Sequence, residues 1–491
     1  MIKCINVIGG DIMDYKLYIN GQWINSYDNK FMNVTNPADG SVVGRVAVGG
    51  KNETKVAISS AYEEFRDWSN TTAKERSKIL RKWYDLIMEE KEEIAKIMTL
   101  EQGKPLKEAN GEVIYGAGFV EWYAEEAKRI YGETIPSPKQ NKRILVHKQP
   151  VGIVAAITPW NFPAAMITRK LAPALAAGCT IIVKPASATP LTAIKLLELL
   201  EKAGLPKGVA NLIIGDSKVI GDTLMEDERV RKITFTGSTK VGKKLMSKSA
   251  DTVKNISLEL GGHAPLIVFD DADIDKAVDG TIASKFRNGG QVCIATNRVY
   301  VQEGIKDKYI ERLKEKVKKL KIGNGFNDDT DIGPIIDKDG YDKIDNHIED
   351  AIDKGAKIII GGKGIKENKN KEAGLYFEPT LIEDVTDDMD IMKEETFGPV
   401  VPIQTFQEEN EAIHLANNTN YGLAAYLFTE NISRGIKVSE SLEYGIVGLN
   451  DGGPSTPEAP FGGFKESGIG REGGHFGIEE FIEVKYISIG L

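Results

Sequence analysis

The sequence predicts an α/β fold organised on a doubly wound, mostly parallel sheet, followed by a second α/β region. Three observations carry this. The chain has 491 residues, more than one hydrophobic core usually serves, so two large domains are expected. From residue 151 onward, short uninterrupted apolar runs alternate with helical stretches, as strands covered on both faces should. After Cys293 a second series of the same kind begins.

The elements follow in order. Strand-like patterning opens at "YKLYINGQW". Residues 1–12 precede it and read as an extension, with Met13 as an alternative start. Residues 52–130 read as helical, because "AKERSKILRKWYDLIMEEKEEIAKIMTLEQ" places apolar residues at three- and four-residue intervals. "KRILVHKQPVG" follows as an extended segment. Strand candidates are then "VGIVAAI" (151–157), "CTIIVKP" (179–185), "NLIIG" (211–215), "KITFTG" (232–237), "NISLELGG" (255–262) and "PLIVFD" (265–270). Helical stretches such as "MITRKLAPALAAG", "PLTAIKLLELLEKAG" and "STKVGKKLMSKSA" separate several of them. In the second series the strands include "KIIIGG" (357–362), "AAYLFT" (424–429) and "GIVGLN" (445–450), with helices around 304–320, 340–354 and 408–418. "KGIKENKNKEAG" reads as a surface loop. The tail "FIEVKYISIGL" reads as a strand whose partner is either "RILVHK" or another subunit.

Composition narrows the function classes. The chain is 41% hydrophobic and 27% charged, with a net charge of −9. That balance argues against a general nucleic-acid binder, which needs a basic footprint. No apolar run approaches the roughly 18–20 residues that span a bilayer, and the N-terminus lacks a secretory pattern. Three cysteines, Cys4, Cys179 and Cys293, fit a reducing cytoplasm better than a disulfide framework. No cysteine–histidine spacing suggests a zinc site, so no metal is expected.

The segment "KFRNGGQVCIATNR" (285–298) holds the first chemical candidate. Cysteines are often small buried hydrophobes. Here, however, Ile274, Val278, Ile282 and Phe286 mark one face of a helix that runs into Arg287, Asn288, Gly289 and Gly290. Paired glycines permit positive φ, so Cys293 is expected after a sharp, exposed bend, where its thiolate could attack an electrophile. No histidine lies in an obvious arrangement with it. A carboxylate base is available in "ISLELGG", where Glu259 ends an apolar strand. It either faces water or is desolvated and raised into the working pH range. Asn161, in the proline-bracketed turn of "TPWNFP", could donate to a developing oxyanion or serve only local turn bonding. Lys184 ends a strand at the carboxyl edge, where open α/β sheets bind ligands. Arg169 and Lys170 would otherwise read as the solvated side of a helix. "ITFTGSTKVGKKL" is a strand, turn and helix start that could hold a phosphate, although Gly237 and Gly242 do not form G-x-G-x-x-G.

Together, "PWNFP", "LELGG", "FTGST", "GGQVC", "EETFGPV" and "PFGGFKESGIGREG" resemble the NAD(P)-dependent aldehyde dehydrogenase superfamily from about residue 15 to the C-terminus. "NFPAAMITRKLAPALAAGCT" and "GIEEFIEVKYISIGL" resemble its succinate-semialdehyde dehydrogenases most. The resemblance implies a Rossmann-type cofactor domain (13–131 and 151–261), an α/β catalytic domain (262–459) and a small β oligomerisation extension (132–150 and 476–491). It implies Cys293 as the nucleophile, Asn161 and the Cys293 backbone N–H as the oxyanion hole, and Glu259 as the base for thioester hydrolysis. Lys184 would hold the adenosine ribose, Ser238 the pyrophosphate and Glu395 the nicotinamide ribose. Phe397 would pack near the nicotinamide, with Trp160, Ser187 and Gly237 completing the cofactor set.

Many NAD-specific relatives carry a glutamate three residues after the strand-end lysine, where it repels a 2′-phosphate. Ser187 stands there, so NADP is expected to be accepted or preferred, with NAD as the other cofactor. Arginines matching Arg169 and Arg287, with Ser455 (or Thr456) from a late loop, hold the substrate carboxylate in succinate-semialdehyde dehydrogenases. Glutarate semialdehyde differs by one methylene, which discriminates by only about 1–3 kcal/mol. Lactaldehyde and glyceraldehyde are further alternatives. Glu259 disfavours a CoA-acylating enzyme, and retention of Cys293, Glu259 and Asn161 disfavours a silent relative. Position 295 is alanine where many such enzymes have a second cysteine, so no redox switch of that kind is expected. Cys179 reads as a core residue, and His263 has no functional account. The resemblance also implies a homo-oligomer, dimer or tetramer.

Overall fold

The computed structural model describes residues 12–366 and 374–491. The N-terminal extension and most of the segment read as a surface loop lie outside these residues. The start of that segment, Gly364–Lys366, is a strand paired antiparallel with Leu375–Phe377.

An eight-stranded sheet forms the first half of the molecule. Its centre is parallel, in the spatial order Asn255–Glu259, Val230–Thr236, Ile153–Ile157, Thr180–Lys184, Ala210–Leu212. These strands are almost wholly buried because helices cover both faces, which explains their unbroken apolar runs. Gly468–Ile469 closes one edge and the hairpin Leu17–Ile19/Gln22–Ile24 the other, all antiparallel. Chain order reverses around Ile153–Ile157, whose neighbours lead off in opposite directions. That is the switch point where such sheets open a crevice beyond their carboxyl ends. The turn that follows this strand is "TPWNFP".

Helices Lys51–Ser69, Ala73–Glu89, Lys91–Gln102 and Leu106–Glu126 fill the region predicted to be helical. The second starts at a capping box, with Thr72 and Glu75 satisfying each other's backbone N–H groups. Glu101, at the end of the third, accepts from the N–H groups of Leu191 and Thr192. It thereby caps the helix Pro190–Lys202, whose first residue is a proline lacking the N–H. Helix Ala165–Ala177 is buried along its entire length and ends at Gly178 in the left-handed conformation. Arg169 and Lys170 are therefore inside the protein, and a solvated helix face is the wrong reading for them.

A seven-stranded sheet forms the second half, in the order Lys357–Ile360, Thr380–Glu383, Val400–Phe406, Thr296–Gln302, Ala264–Val268, Ala424–Phe428, Ile446–Leu449. All but the first run parallel. Cys293, Gly262 and Phe397 lie just before three of its strands. The amino ends of this sheet thus meet the carboxyl ends of the first. Away from both, Ile482–Gly490 pairs antiparallel with Lys142–Pro150 over nine registered positions, with Glu133–Ile135 on the far side. The C-terminal strand therefore has its partner within this chain. No helix among the described residues is long and apolar enough to cross a membrane.

Candidate active site

Cys293 is delivered by a turn that few sequences can make. Helix Ile274–Lys285 ends, and Asn288, Gly289 and Gly290 then take φ values of 51°, 62° and 76° in succession. Glycine adopts this region freely, and asparagine is among the few other residues that tolerate it. A Cβ on Gly290 would collide with the carbonyl of Gly398, so the second glycine is required by space as well as by φ. Asn288 is held on three sides. Its N–H donates to Glu108 (2.8 Å), its Oδ1 accepts from Gln102 (2.9 Å), and its Nδ2 donates to the Asn161 carbonyl (3.1 Å). The bend is sharp, as expected, but buried rather than exposed. It wedges between the two halves instead of facing solvent.

Two cavities meet at Cys293. One, of about 350 Å³, is lined by Trp160, Asn161, Gly237, Ser238, Glu395 and Phe397 on the side of the switch-point crevice. Here the ring of Phe397, itself at φ 57°, meets Trp160 edge-on at 5.7 Å. Glu395 accepts from the Gly262 N–H at 3.1 Å, and burial pushes its carboxyl up to about 7. Ser238 caps helix Thr239–Ser249 by accepting from Val241. The other cavity, of about 290 Å³, lies on the opposite side of Cys293 and is lined by Tyr115, Phe162, Arg169, Arg287, Ser455 and Phe461, among others. Ser455 shares a 2.6 Å hydrogen bond with Tyr115, whereas Thr456 is exposed and bonds Glu458. Arg287 leans over the Phe162 ring, 5.3 Å from its centroid.

Asn161 lines the first cavity and is 4% exposed. Its Nδ2 donates to the Gln291 carbonyl at 3.1 Å, leaving the second N–H of the amide for another acceptor. Lys184 and Ser187 form a separate cluster at the neighbouring strand end. Lys184 Nζ donates to Ser217 Oγ at 2.6 Å, and Ser187 Oγ donates to the Gly215 carbonyl at 3.2 Å. Burial lowers the Lys184 ammonium to about 8, against an opposing pull from Asp216.

Glu259 lines neither cavity. It is buried, its Oε2 has no hydrogen-bond partner among the described residues, and burial followed by the charge of Glu472 pushes its carboxyl well above the usual range. Glu472 stands opposite it with the reverse character. Burial alone would raise it, but Lys170 at 2.5 Å and Arg169 at 2.6 Å hold it below the ordinary value. The pair is thus split: relative to an ordinary carboxyl, Glu472 is shifted toward its ionised form and Glu259 toward its protonated form. Burial likewise pushes the Cys293 thiol up to about 12; Glu395 and Glu259 add to this, and Arg169 and Arg287 oppose it.

The sequence reading missed Glu472, Tyr115, Lys104, Glu108 and Glu112. Glu472 was hidden in the glycine-rich "GREGG". Glu108, Glu112 and Tyr115 follow the four- and three-residue spacing of one helix face, a polar stripe that could have drawn attention.

A thiol held near 12 makes a pH prediction. Iodoacetamide alkylation of Cys293 in the free enzyme will accelerate steadily from about pH 7 to about pH 10, because thiolate grows tenfold per unit below its pKa. A plateau near pH 8–9, followed by mass spectrometry of the Cys293 peptide, would contradict the assignment.

The sequence matches the aldehyde dehydrogenase family over residues 23–487. It is 56% identical over 472 residues to a mitochondrial succinate-semialdehyde dehydrogenase of Arabidopsis thaliana, covering 96% of this chain and 88% of that one. It is 52% identical over 473 residues to an NADP(+) succinate-semialdehyde dehydrogenase of Escherichia coli K12, covering 96% and 97%. A glutarate-semialdehyde dehydrogenase of Pseudomonas putida is also 52% identical, over 474 residues, with coverage of 96% and 97%. The crystal structure of succinate-semialdehyde dehydrogenase from Burkholderia pseudomallei superposes with a TM-score of 0.95 at 50% identity, over 97% of this chain and 98% of that one. The chain belongs to the aldehyde dehydrogenase family.

Proposed function

We propose that the protein oxidises succinate semialdehyde to succinate with reduction of NADP or NAD, and that the residues assembled around Cys293 carry out the chemistry. The observation that supports this most is the pair of cavities converging on one cysteine, with aromatic and phosphate-binding features in one and two arginines in the other.

Residues 13–131 and 151–261 form the cofactor domain in this reading, and residues 262–459 the catalytic domain. The cofactor cavity fits a dinucleotide. A capped helix N-terminus at Ser238 offers free N–H groups to a pyrophosphate, Glu395 suits ribose hydroxyls, and Trp160 and Phe397 offer a flat apolar wall. Lys184, Ser187 and Ser217 form a cationic and hydroxyl cluster beside it, suited to a 2′-phosphate. When bound, NAD(P) supplies the hydride acceptor.

The protein's own part begins with the thiol. Cys293 gives up its proton to solvent and attacks the aldehyde carbon, forming a thiohemiacetal whose oxygen would be held by the Asn161 amide and the Cys293 backbone N–H. One such donor is worth about 3 kcal/mol. Loss of hydride from that carbon to bound NAD(P) would leave the acyl group on sulfur as a thioester. Glu259 in its carboxylate form, made more basic by burial, then takes a proton from the water that attacks the thioester carbon, and the Cys293 thiolate leaves. Glu472 keeps it from ionising too easily, and Arg169, Lys170 and Arg471 keep its charged form accessible.

In the second cavity, Arg287, Ser455 and Arg169 recognise the carboxylate at the far end of the substrate. Arg169 is already paired with Glu472, so Arg287 carries more of the substrate's charge. Glutarate semialdehyde is the second reading, because the Pseudomonas relative bears that name and one methylene changes little. Arg287→Ala should raise KM for succinate semialdehyde by about 10- to 100-fold, the value of a charged hydrogen bond, and leave KM for butanal within about twofold. Equal effects on both aldehydes would refute the carboxylate clamp.

Ser187→Glu should lower kcat/KM for NADP by at least about tenfold through like-charge repulsion at the 2′-phosphate, with NAD little changed. An unchanged NADP value would remove Ser187 from the specificity site. The three-stranded extension, residues 132–150 and 476–491, serves oligomerisation in this reading. Its edge strand Ile482–Gly490 leaves a backbone row unpaired and exposes Val484, Tyr486 and the adjoining Leu491. Truncation after Phe481 should lower the mass seen by light scattering, and an unchanged mass would rule the strand out as an assembly contact.

A further inference from the structure

We infer that Lys104 is a positioning residue for the oxyanion amide of Asn161, acting through a buried ion pair with Glu112. The inference rests on the role of Asn161 proposed above and adds a residue outside the reacting groups.

Lys104 lies in the turn between helices Lys91–Gln102 and Leu106–Glu126 and is 2% exposed. Its ammonium donates to Glu112 and to the backbone carbonyl of Asn161, the latter at 2.8 Å. It also lies 4.0 Å from the centroid of the Phe162 ring. Burial lowers its pKa, and Glu112 opposes that shift. The Glu112 carboxylate is shared, since its Oε1 accepts from the N–H groups of Ala164 (2.9 Å) and Ala165 (3.2 Å).

One ion pair therefore grips both ends of the turn Asn161–Ala164, the carbonyl at its start and the amides at its finish. The Asn161 carbonyl receives a second donor from Asn288, which sits in the left-handed bend before Cys293. Gln102 ties the turn of Lys104 to the same bend, since its Nε2 donates to Asn288 and its Oε1 accepts from the Lys104 N–H at 3.0 Å. Nucleophile and oxyanion amide are thus referenced to a single buried polar frame.

Energetics favour a positional role over a stabilising one. Two buried charges gain little net stability compared with apolar residues of the same volume. What the pair supplies is direction: a backbone fixed at both ends fixes the Cα–Cβ vector from which the Asn161 amide projects. A misplacement of about 1 Å at such a donor can cost about 100-fold in rate.

The test is a mutant cycle read by the pre-steady-state burst of reduced cofactor at saturating succinate semialdehyde. Lys104→Met alone would strand the Glu112 charge, so the pair variant Lys104→Met/Glu112→Gln is used, with NADP dissociation constant and melting temperature measured in parallel. Asn161→Ala should slow the burst by about 100- to 1000-fold. The pair variant should slow it by about 10- to 100-fold and leave the NADP dissociation constant within about twofold. The triple variant should be no slower than Asn161→Ala, because Lys104 acts through that amide. Lys104 and Glu112 also border the second cavity, so the pair variant's KM for succinate semialdehyde is measured as well. A raised KM with the wild-type burst at saturation would assign the pair to substrate binding and overturn the inference.

Multiplicative losses in the triple variant, or a pair variant with the wild-type burst, would overturn the inference while leaving the oxyanion reading intact. An Asn161→Ala enzyme with an undiminished burst would overturn the oxyanion reading itself. Lys104→Arg, which keeps the charge but moves the donor, is carried through the same cycle and judged by the same additivity, so the inference stays falsifiable even where the pair variant folds poorly.

Discussion

The site depends on one backbone constraint: three consecutive residues, Asn288 to Gly290, in the left-handed region. This turn ends a helix of the second half and brings Cys293 against the switch-point crevice of the first. Without it the cysteine would continue outward along the helix axis. The turn costs conformational strain at Asn288, and the bonds from Glu108, Gln102 and the Asn161 carbonyl offset that cost. The same bonds tie the nucleophile to the amide that is to hold its oxyanion. Geometry at the reacting carbon is therefore set by a buried polar network, one side of which, at Lys104, Glu108 and Glu112, borders the second cavity.

Around this frame, electrostatics divide the labour between groups of the same chemical type. Glu259 and Glu472 are both buried carboxylates, yet among the described residues only Glu472 forms ion pairs, with Arg169 and Lys170, which shift it toward its ionised form. Burial and the charge of Glu472 make Glu259 more basic than an ordinary carboxylate. Arg169 and Arg287 differ in the same manner. Arg169 is fully enclosed, paired with Glu472 and stacked 4.2 Å from the Phe461 ring centroid. Arg287 has a more exposed side chain and leans on Phe162. Two residues that look equivalent in the sequence thus have unequal freedom to take up a new anion.

Much of this was legible in the sequence, for physical reasons. Strands buried on both faces leave unbroken apolar runs, so "VGIVAAI" and "CTIIVKP" were found within two residues of Ile153–Ile157 and Thr180–Lys184. The motifs around Cys293, Asn161 and Glu395 were visible through the family resemblance they carry, whereas residue type alone left Asn161 open between an oxyanion donor and a local turn bond. What stayed hidden was long-range pairing. Arg169 and Lys170 carry charges that, read locally, belong on a wet helix face, and only the arrival of Glu472 some three hundred residues later makes their burial tolerable. The bend before Cys293 was expected to be exposed because glycine pairs usually are; its burial depends on the Gly398 carbonyl packed against Gly290. The choice of "RILVHK" as partner for the final strand was likewise open until the register was seen.

The account's central claim is that Cys293 accepts the acyl group of a carboxylated aldehyde and Glu259 releases it. Intact-protein and peptide mass spectrometry of the Glu259→Gln enzyme, incubated with succinate semialdehyde and NADP, tests it most directly. The account predicts a mass gain equal to one succinyl group, located on Cys293, formed with one equivalent of NADPH and persisting because no base activates water to remove it. An enzyme that stays unmodified while turning over at the wild-type rate, or an acyl group found on another residue, would contradict it.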